Sequence, residues 1–186
     1  WAMLVYHDDT VPAAHLSLLA DLGVNLIKMP RSVGRSGSFW RFHAGADPRF
    51  KGCRVVCRDI DSMFTPRELA AVGEWGSSSC TFHVMRNNTE WDKSPTGGPR
   101  PMHAGMFGMI GGSLPGLLEA IEAWPNKDKY FEDEYFQRDW IWPRIQASLI
   151  EHDNGSQSAS SYPCQNPHGW RTQEYMTAFH LCMVKI

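Results

Sequence analysis

The sequence predicts an α/β domain with a mainly parallel, Rossmann-like sheet flanked by helices. Three observations predict it. The chain opens strand–helix–strand, short apolar runs recur between helical segments, and β and α signals alternate through most of the chain.

Bulk composition narrows the classes. At 186 residues the chain suits one domain, taken as 1–186, with room for a substantial core. Its 42% hydrophobic and 12% aromatic content excludes a disordered or collagen-like chain. The 18 basic and 20 acidic residues leave a formal charge of −2, so there is no basic field for nucleic acid. No apolar run reaches the length of a membrane span. The chain begins at Trp1 without a secretory signal pattern, which reads as a fragment or the ordered part of a longer protein. Five cysteines occur with no CxxC pair, which disfavours structural zinc. The odd count fits a reducing compartment, or one free thiol beside disulfides.

Residues 2–7 form an apolar run before Asp8, Asp9 and Pro12, and read as a buried strand entering a turn. Leu16, Leu19 and Leu22 follow at helical spacing, with Gly23 where a helix terminates. Residues 24–29 read as a second strand, 30–38 as a loop, and 39–47 as one or two helical turns. The clearest strand is 53–58, β-branched at its centre. Thr65-Pro66-Arg67-Glu68 opens a helix, with Thr65 as cap, Glu68 reaching back and Pro66 at the first position. That helix is expected to bury Leu69, Val72 and Trp75 and to end at Gly76.

Residues 80–85 read as another strand and 86–101 as a long polar loop. Helices are expected over 114–124 and over 133–150, the latter interrupted near Pro143. Residues 153–172 read as a mobile surface loop, and a closing strand is expected around 175–184.

Chemistry concentrates at Arg58-Asp59-Ile60-Asp61-Ser62, just beyond the 53–58 strand. In extended geometry Asp59 and Asp61 face the same way, and two carboxylates side by side call for a cation or a proton. Ligands in open α/β sheets bind beyond the carboxyl ends of strands. A hard divalent ion there takes one or two carboxylates and completes its shell with water and phosphate oxygens. An Asp-x-Asp tripeptide alone is also compatible with a plain polar turn.

Five strings in order bear on that choice: "FWRF" (39–42), "RDIDS" (58–62), "RELAAVGEW" (67–75), "FHVMR" (82–86) and "AGMFG" (104–108). They resemble the "FWRF", "RDxDS", "REKAAVDEW", "FHIMRDH" and "GGMWG" strings of a family of A-type glycosyltransferases, at similar separations. The resemblance continues through "DEYFQRDWIWPRI" (133–145) and covers most of residues 1–153.

The resemblance implies a nucleotide-sugar donor bound through Mn²⁺ or Mg²⁺, with Asp59 and Asp61 holding the ion against the diphosphate. It implies His152 as a third metal ligand, the alternative being a loop histidine. Asp133 and Glu134, at a helix start, become candidates for sugar contact or catalysis, or else are capping residues. Arg58 would support the phosphates, or simply pair with a carboxylate. Gly105 and Gly108 would let backbone approach the donor sugar. His103 replaces an apolar residue usual in the family. His43 and His83 read as structural, Trp75, Trp124, Trp140 and Trp142 as core, and Trp91 as a candidate for stacking on a sugar.

The chain departs from the family in lacking its first strand and helix, in carrying Asn87-Asn88 for an acidic residue and a histidine, and in a longer loop over 89–101. Two functions therefore stand as expectations. One is a metal-dependent glycosyltransferase with an unknown acceptor. The other is a non-catalytic module of that fold, serving as a structural or interaction subunit of a larger assembly. A metal-dependent phosphoesterase would want more histidine and aspartate ligands than this spacing offers.

Overall fold

The computed structural model describes residues 1–60, 64–86, 101–152 and 180–185. Strand β1 (Ala2–His7), helix α1 (Ala13–Asp21) and strand β2 (Asn25–Lys28) realise the opening pattern. Gly23, at φ 78°, makes the left-handed turn out of α1. A 3-10 turn over Ser36–Phe42 runs into the short α2 (His43–Ala46). Then come β3 (Arg54–Asp59), α3 (Pro66–Ser77), β4 (Phe82–Met85), β5 (Met106–Ile110) and α4 (Leu117–Ala123).

The long helix expected over 133–150 is instead a relay. It consists of α5 (Glu132–Phe136), a π-helical stretch (Gln137–Ile141), α6 (Trp142–Ile145) and a 3-10 turn, and β6 (Leu149–His152) follows. Pro143 lacks the N–H that would continue a regular ladder, and the helix type changes beside it. β7 (His180–Lys185) is the closing strand. Asp61, Trp91 and the segment 153–172 fall outside the described residues. No helix among the described residues is long and apolar enough to cross a membrane.

The strands form one seven-stranded sheet in the order β2-β1-β7-β3-β5-β4-β6. β1–β2 and β4–β6 pair in parallel. The β1–β7, β7–β3, β3–β5 and β5–β4 ladders are antiparallel. The domain is thus mixed α/β, and the expectation of a mainly parallel sheet needs correction at the level of pairing. Most strands point one way, yet most ladders are antiparallel, because β7 and β5 each insert between strands running against them. β5 lies between the loop expected over 86–101 and the helix expected over 114–124, where the sequence predicts no element.

Side-chain alternation along β3 divides the core. Val55 and Cys57 join a large aromatic cluster with Phe39 and Phe42 of the 3-10 turn, Phe107 of β5 and Phe136 of α5. Phe42 lies 5.8 Å from Phe107 and 5.2 Å from Phe136, ring centre to ring centre. The other face of β3 belongs to α3. There Trp75 is fully buried, donates from Nε1 to the Cys80 carbonyl at 3.0 Å, and has the Arg54 guanidinium 4.7 Å above its ring.

Thr65 caps α3 as expected, accepting from the Glu68 amide at 3.2 Å. Glu68 does not reach back to complete the box; Arg58 Nε lies 2.5 Å from its Oε1, and both side chains are buried. That pair turns the helix so that Glu68, Ala71 and Trp75 face inward. Leu69, expected in the core, is therefore 63% exposed.

Gly108 explains how the indole fits. A Cβ there would meet Trp75 Cζ3 at 2.8 Å and the Val55 carbonyl at 3.1 Å. Trp75→Ala is expected to cost roughly 3–5 kcal/mol in urea unfolding, as for other large-to-small core changes. Gly108→Ala should destabilise the native chain but cost measurably less in the Trp75→Ala background, since the two share one space. Equal costs in both backgrounds would contradict this packing.

Candidate functional site at the carboxyl end of strand β3

Asp59 is the last residue of β3, and alternation aims it away from α3, toward the 3-10 turn. Arg41, from the "FWRF" string on that turn, is buried and donates from Nη1 to Asp59 Oδ1 at 2.8 Å. Its Nη2 lies 3.7 Å from Asp133 Oδ2 on α5. Its Nε donates to the Ser38 carbonyl at 2.9 Å, which fixes the fork. Burial works against the guanidinium charge, but Asp59 and Asp133 outweigh it and hold the pKa above its ordinary value.

One buried cation thus gathers two carboxylates separated widely in sequence. The Asp59 side chain is 45% exposed, so its carboxylate faces solvent as well as Arg41. Gly105 closes the other side, where a Cβ would lie 2.2 Å from Asp59 Oδ2. Sequence reasoning missed Arg41. The signal was an arginine among three aromatics, since a buried guanidinium must find acidic partners.

The remaining candidates divide. Asp133 and Gly105 stand with Asp59. Glu134 is half-buried on the same turn of α5, its amide donating to the Phe131 carbonyl at 3.1 Å. Arg58 does not join them. It lies buried on the α3 face, held by Glu68, and donates from Nη1 to the Gly105 carbonyl at 3.0 Å. There it anchors the Gly105 backbone from the α3 side. Gly108 likewise serves Trp75 and not a ligand. His103 is half-buried, and its carbonyl accepts from Gln137 Nε2 at 3.4 Å.

His152 is not brought to Asp59. β6 stands three strands from β3, roughly 14 Å at the usual spacing of about 4.8 Å per strand. Its ring also lies on the α3 face. Nε2 is 3.2 Å from Glu74 Oε2, and the ring meets His83 edge-on at 4.9 Å. His83 in turn stacks on Trp75 at 5.6 Å. Burial pushes His83 down to about 3, with His152 adding to the shift. Burial also lowers His152, while Glu74 opposes that shift. This confirms His83 as a core residue and puts His152 beside it.

Beyond β1 and β2 a cavity of about 280 Å³ opens, lined in part by Met29, Arg31, Trp40 and His43. Asp8 organises its rim. Buried at the end of β1, it accepts from the Thr10 amide and hydroxyl at 2.9 and 2.5 Å and from the Ser32 amide and hydroxyl at 2.8 and 2.6 Å. Burial alone would raise the Asp8 pKa, and these four bonds bring it well below the usual carboxylate range. Trp40 and Arg41 are neighbours, so one turn lines the cavity and supports the carboxylate cluster.

Asp59 fits a hard divalent ion as one carboxylate ligand, by the exposure of its side chain. His152 does not fit. Among the described residues no group of three His, Cys, Asp or Glu side chains is arranged to hold a metal. No family model, no curated protein and no solved structure matches this chain.

Arg41→Ala should leave Asp59 and Asp133 facing each other without their cation and cost about 3–5 kcal/mol. A melting curve unchanged from the native chain would contradict the buried pair. The histidines set a pH dependence. Both have folded pKa values below the unfolded value of about 6.5, so the unfolded chain binds more protons below that pH. Stability is full above about pH 6.5 and should fall as pH drops from there toward 3. Urea midpoints at pH 7.5 and 5.0 should show the loss, and His83→Phe should reduce it.

Proposed function

We propose that this chain is the donor-binding core of a metal-dependent glycosyltransferase acting on a nucleotide-diphosphate sugar. The observation that carries this is the meeting of Arg41, Asp59, Asp133 and Gly105 at the carboxyl end of a central strand. Those four come from four separate stretches of the family resemblance and from no single local motif. A position beyond the strand ends is where α/β sheets take their ligands. The cavity beside Trp40 offers an aromatic and polar surface near the size of small-ligand sites.

In this reading Asp59, with Asp61 as the second carboxylate implied by the resemblance, holds Mn²⁺ or Mg²⁺ against the donor diphosphate. The ion supplies Lewis-acid neutralisation of the departing nucleoside diphosphate. Arg41 fixes Asp59 in direction through the 2.8 Å bond from its Nη1. Gly105 admits the donor close to the backbone. Asp133, held by the same guanidinium, is placed to contact the transferred sugar or to receive the acceptor proton. His152 has no part in this set.

Calorimetric titration of UDP and of GDP into the full chain, each with and without Mn²⁺, tests the reading. Metal-dependent binding of one nucleotide is expected, and Asp59→Asn or Asp61→Ala should reduce its affinity at least 10-fold. Absence of binding in a folded sample would overturn the donor site and favour the non-catalytic module.

A further inference from the structure

We propose that Gln137 is a positioning residue that ties the turn carrying Gly105 to the helix carrying Asp133; its bearing on nucleotide binding rests on the donor-site reading. Gln137 opens the π-helical stretch directly after α5, and its amide donates to the Asp133 and Glu134 carbonyls. It lies four residues beyond Asp133, on the same side of the helix. Its side chain is fully buried, yet only its Nε2 is bonded, donating to the His103 carbonyl at 3.4 Å. Oε1 has no partner among the described residues. Burying an acceptor in that state costs stability, whereas a methionine of the same length would fill the space without that penalty. Packing therefore does not account for the carboxamide, and its one bond shows where it acts. π-helical stretches within helices recur at functional sites.

The His103 carbonyl also accepts from the Met106 amide at 3.2 Å, which closes a tight turn through Ala104 and Gly105. Arg58 Nη1 holds the Gly105 carbonyl of that turn at 3.0 Å. The turn is thus gripped at two carbonyls, by Arg58 from the α3 face and by Gln137 from the α5 relay. Both grips bear on Asp59, because a Cβ at position 105 would lie 2.2 Å from its Oδ2. Asp133, one turn before Gln137, reaches the same carboxylate through Arg41. Gln137 therefore sets the distance between the Gly105 backbone and Asp133, the two sides of the candidate site that no other printed bond joins directly. A site held this closely depends on such supporting contacts for its geometry.

The test compares the native chain with Gln137→Met by amide hydrogen exchange, thermal melting, and titration with UDP and with GDP in the presence of Mn²⁺. Exchange at the Met106 amide is expected to rise about 5-fold in the variant, with Val55 in β3 unchanged. The melting midpoint should hold or rise, since the unmet acceptor is gone. The nucleotide that the native chain binds should bind the variant about 5-fold more weakly. Gln137→Leu, which also lacks the amide, should behave alike. Equal Met106 exchange in native and variant chains would overturn the proposal. So would a lowered midpoint with faster exchange at Val55 as well, the mark of a merely structural side chain. Unchanged nucleotide affinity beside faster Met106 exchange would overturn the positioning role. A native chain that binds neither nucleotide, while Met106 exchange still rises in the variant, would sink the donor-site reading and uphold the tether.

Discussion

Strand β7 is the constraint on which the rest of the architecture depends. Every ladder joining the β2–β1 half of the sheet to the β3–β5–β4–β6 half passes through it. An unpaired strand edge in the interior of a sheet is costly, because buried N–H and C=O groups must be satisfied. β7 therefore completes β1 on the side away from β2 and joins it to β3. Pairings this distant in sequence are slow to form, since loop closure precedes any gain from contact.

β3, which β7 borders, puts its two faces to different uses. On one, Arg58 locks Glu68 and so sets the rotation of α3, bringing Trp75 against Gly108 and the His83–His152 pair. On the other, Asp59 meets Arg41 above the aromatic cluster. Adjacent residues thus serve opposite faces, one as the partner of Glu68 and one in the carboxylate cluster around Arg41. Arg58 links them, holding the Gly105 carbonyl while Asp59 Oδ2 presses on the same glycine.

Electrostatics separates the two groups of titratable residues as cleanly as geometry does. On the Asp59 side a buried guanidinium keeps its charge because two carboxylates face it. On the α3 side burial dominates and the imidazoles stay neutral. A neutral imidazole is a competent metal ligand by itself, so it is position and not protonation that removes His152 from the Asp59 site.

Local signals in the sequence were enough for the opening strand–helix–strand unit, for β3 with Asp59 at its end, and for Thr65 capping α3. Each depends on neighbouring residues alone, through hydrophobic periodicity, β-branching and side-chain capping. The five ordered strings also pointed to Asp59 and Gly105, and their continuation over 133–145 to Asp133, before any contact was known. Tertiary structure alone decided the rest. It paired Arg41 with Asp59 and Asp133, and it turned Arg58 to the opposite face. It gave Gly108 to Trp75, rotated α3 until Leu69 met solvent, and set His152 three strands from Asp59. Strand order and helix rotation follow from long-range pairing and burial, and these are settled among residues that sequence spacing does not bring together.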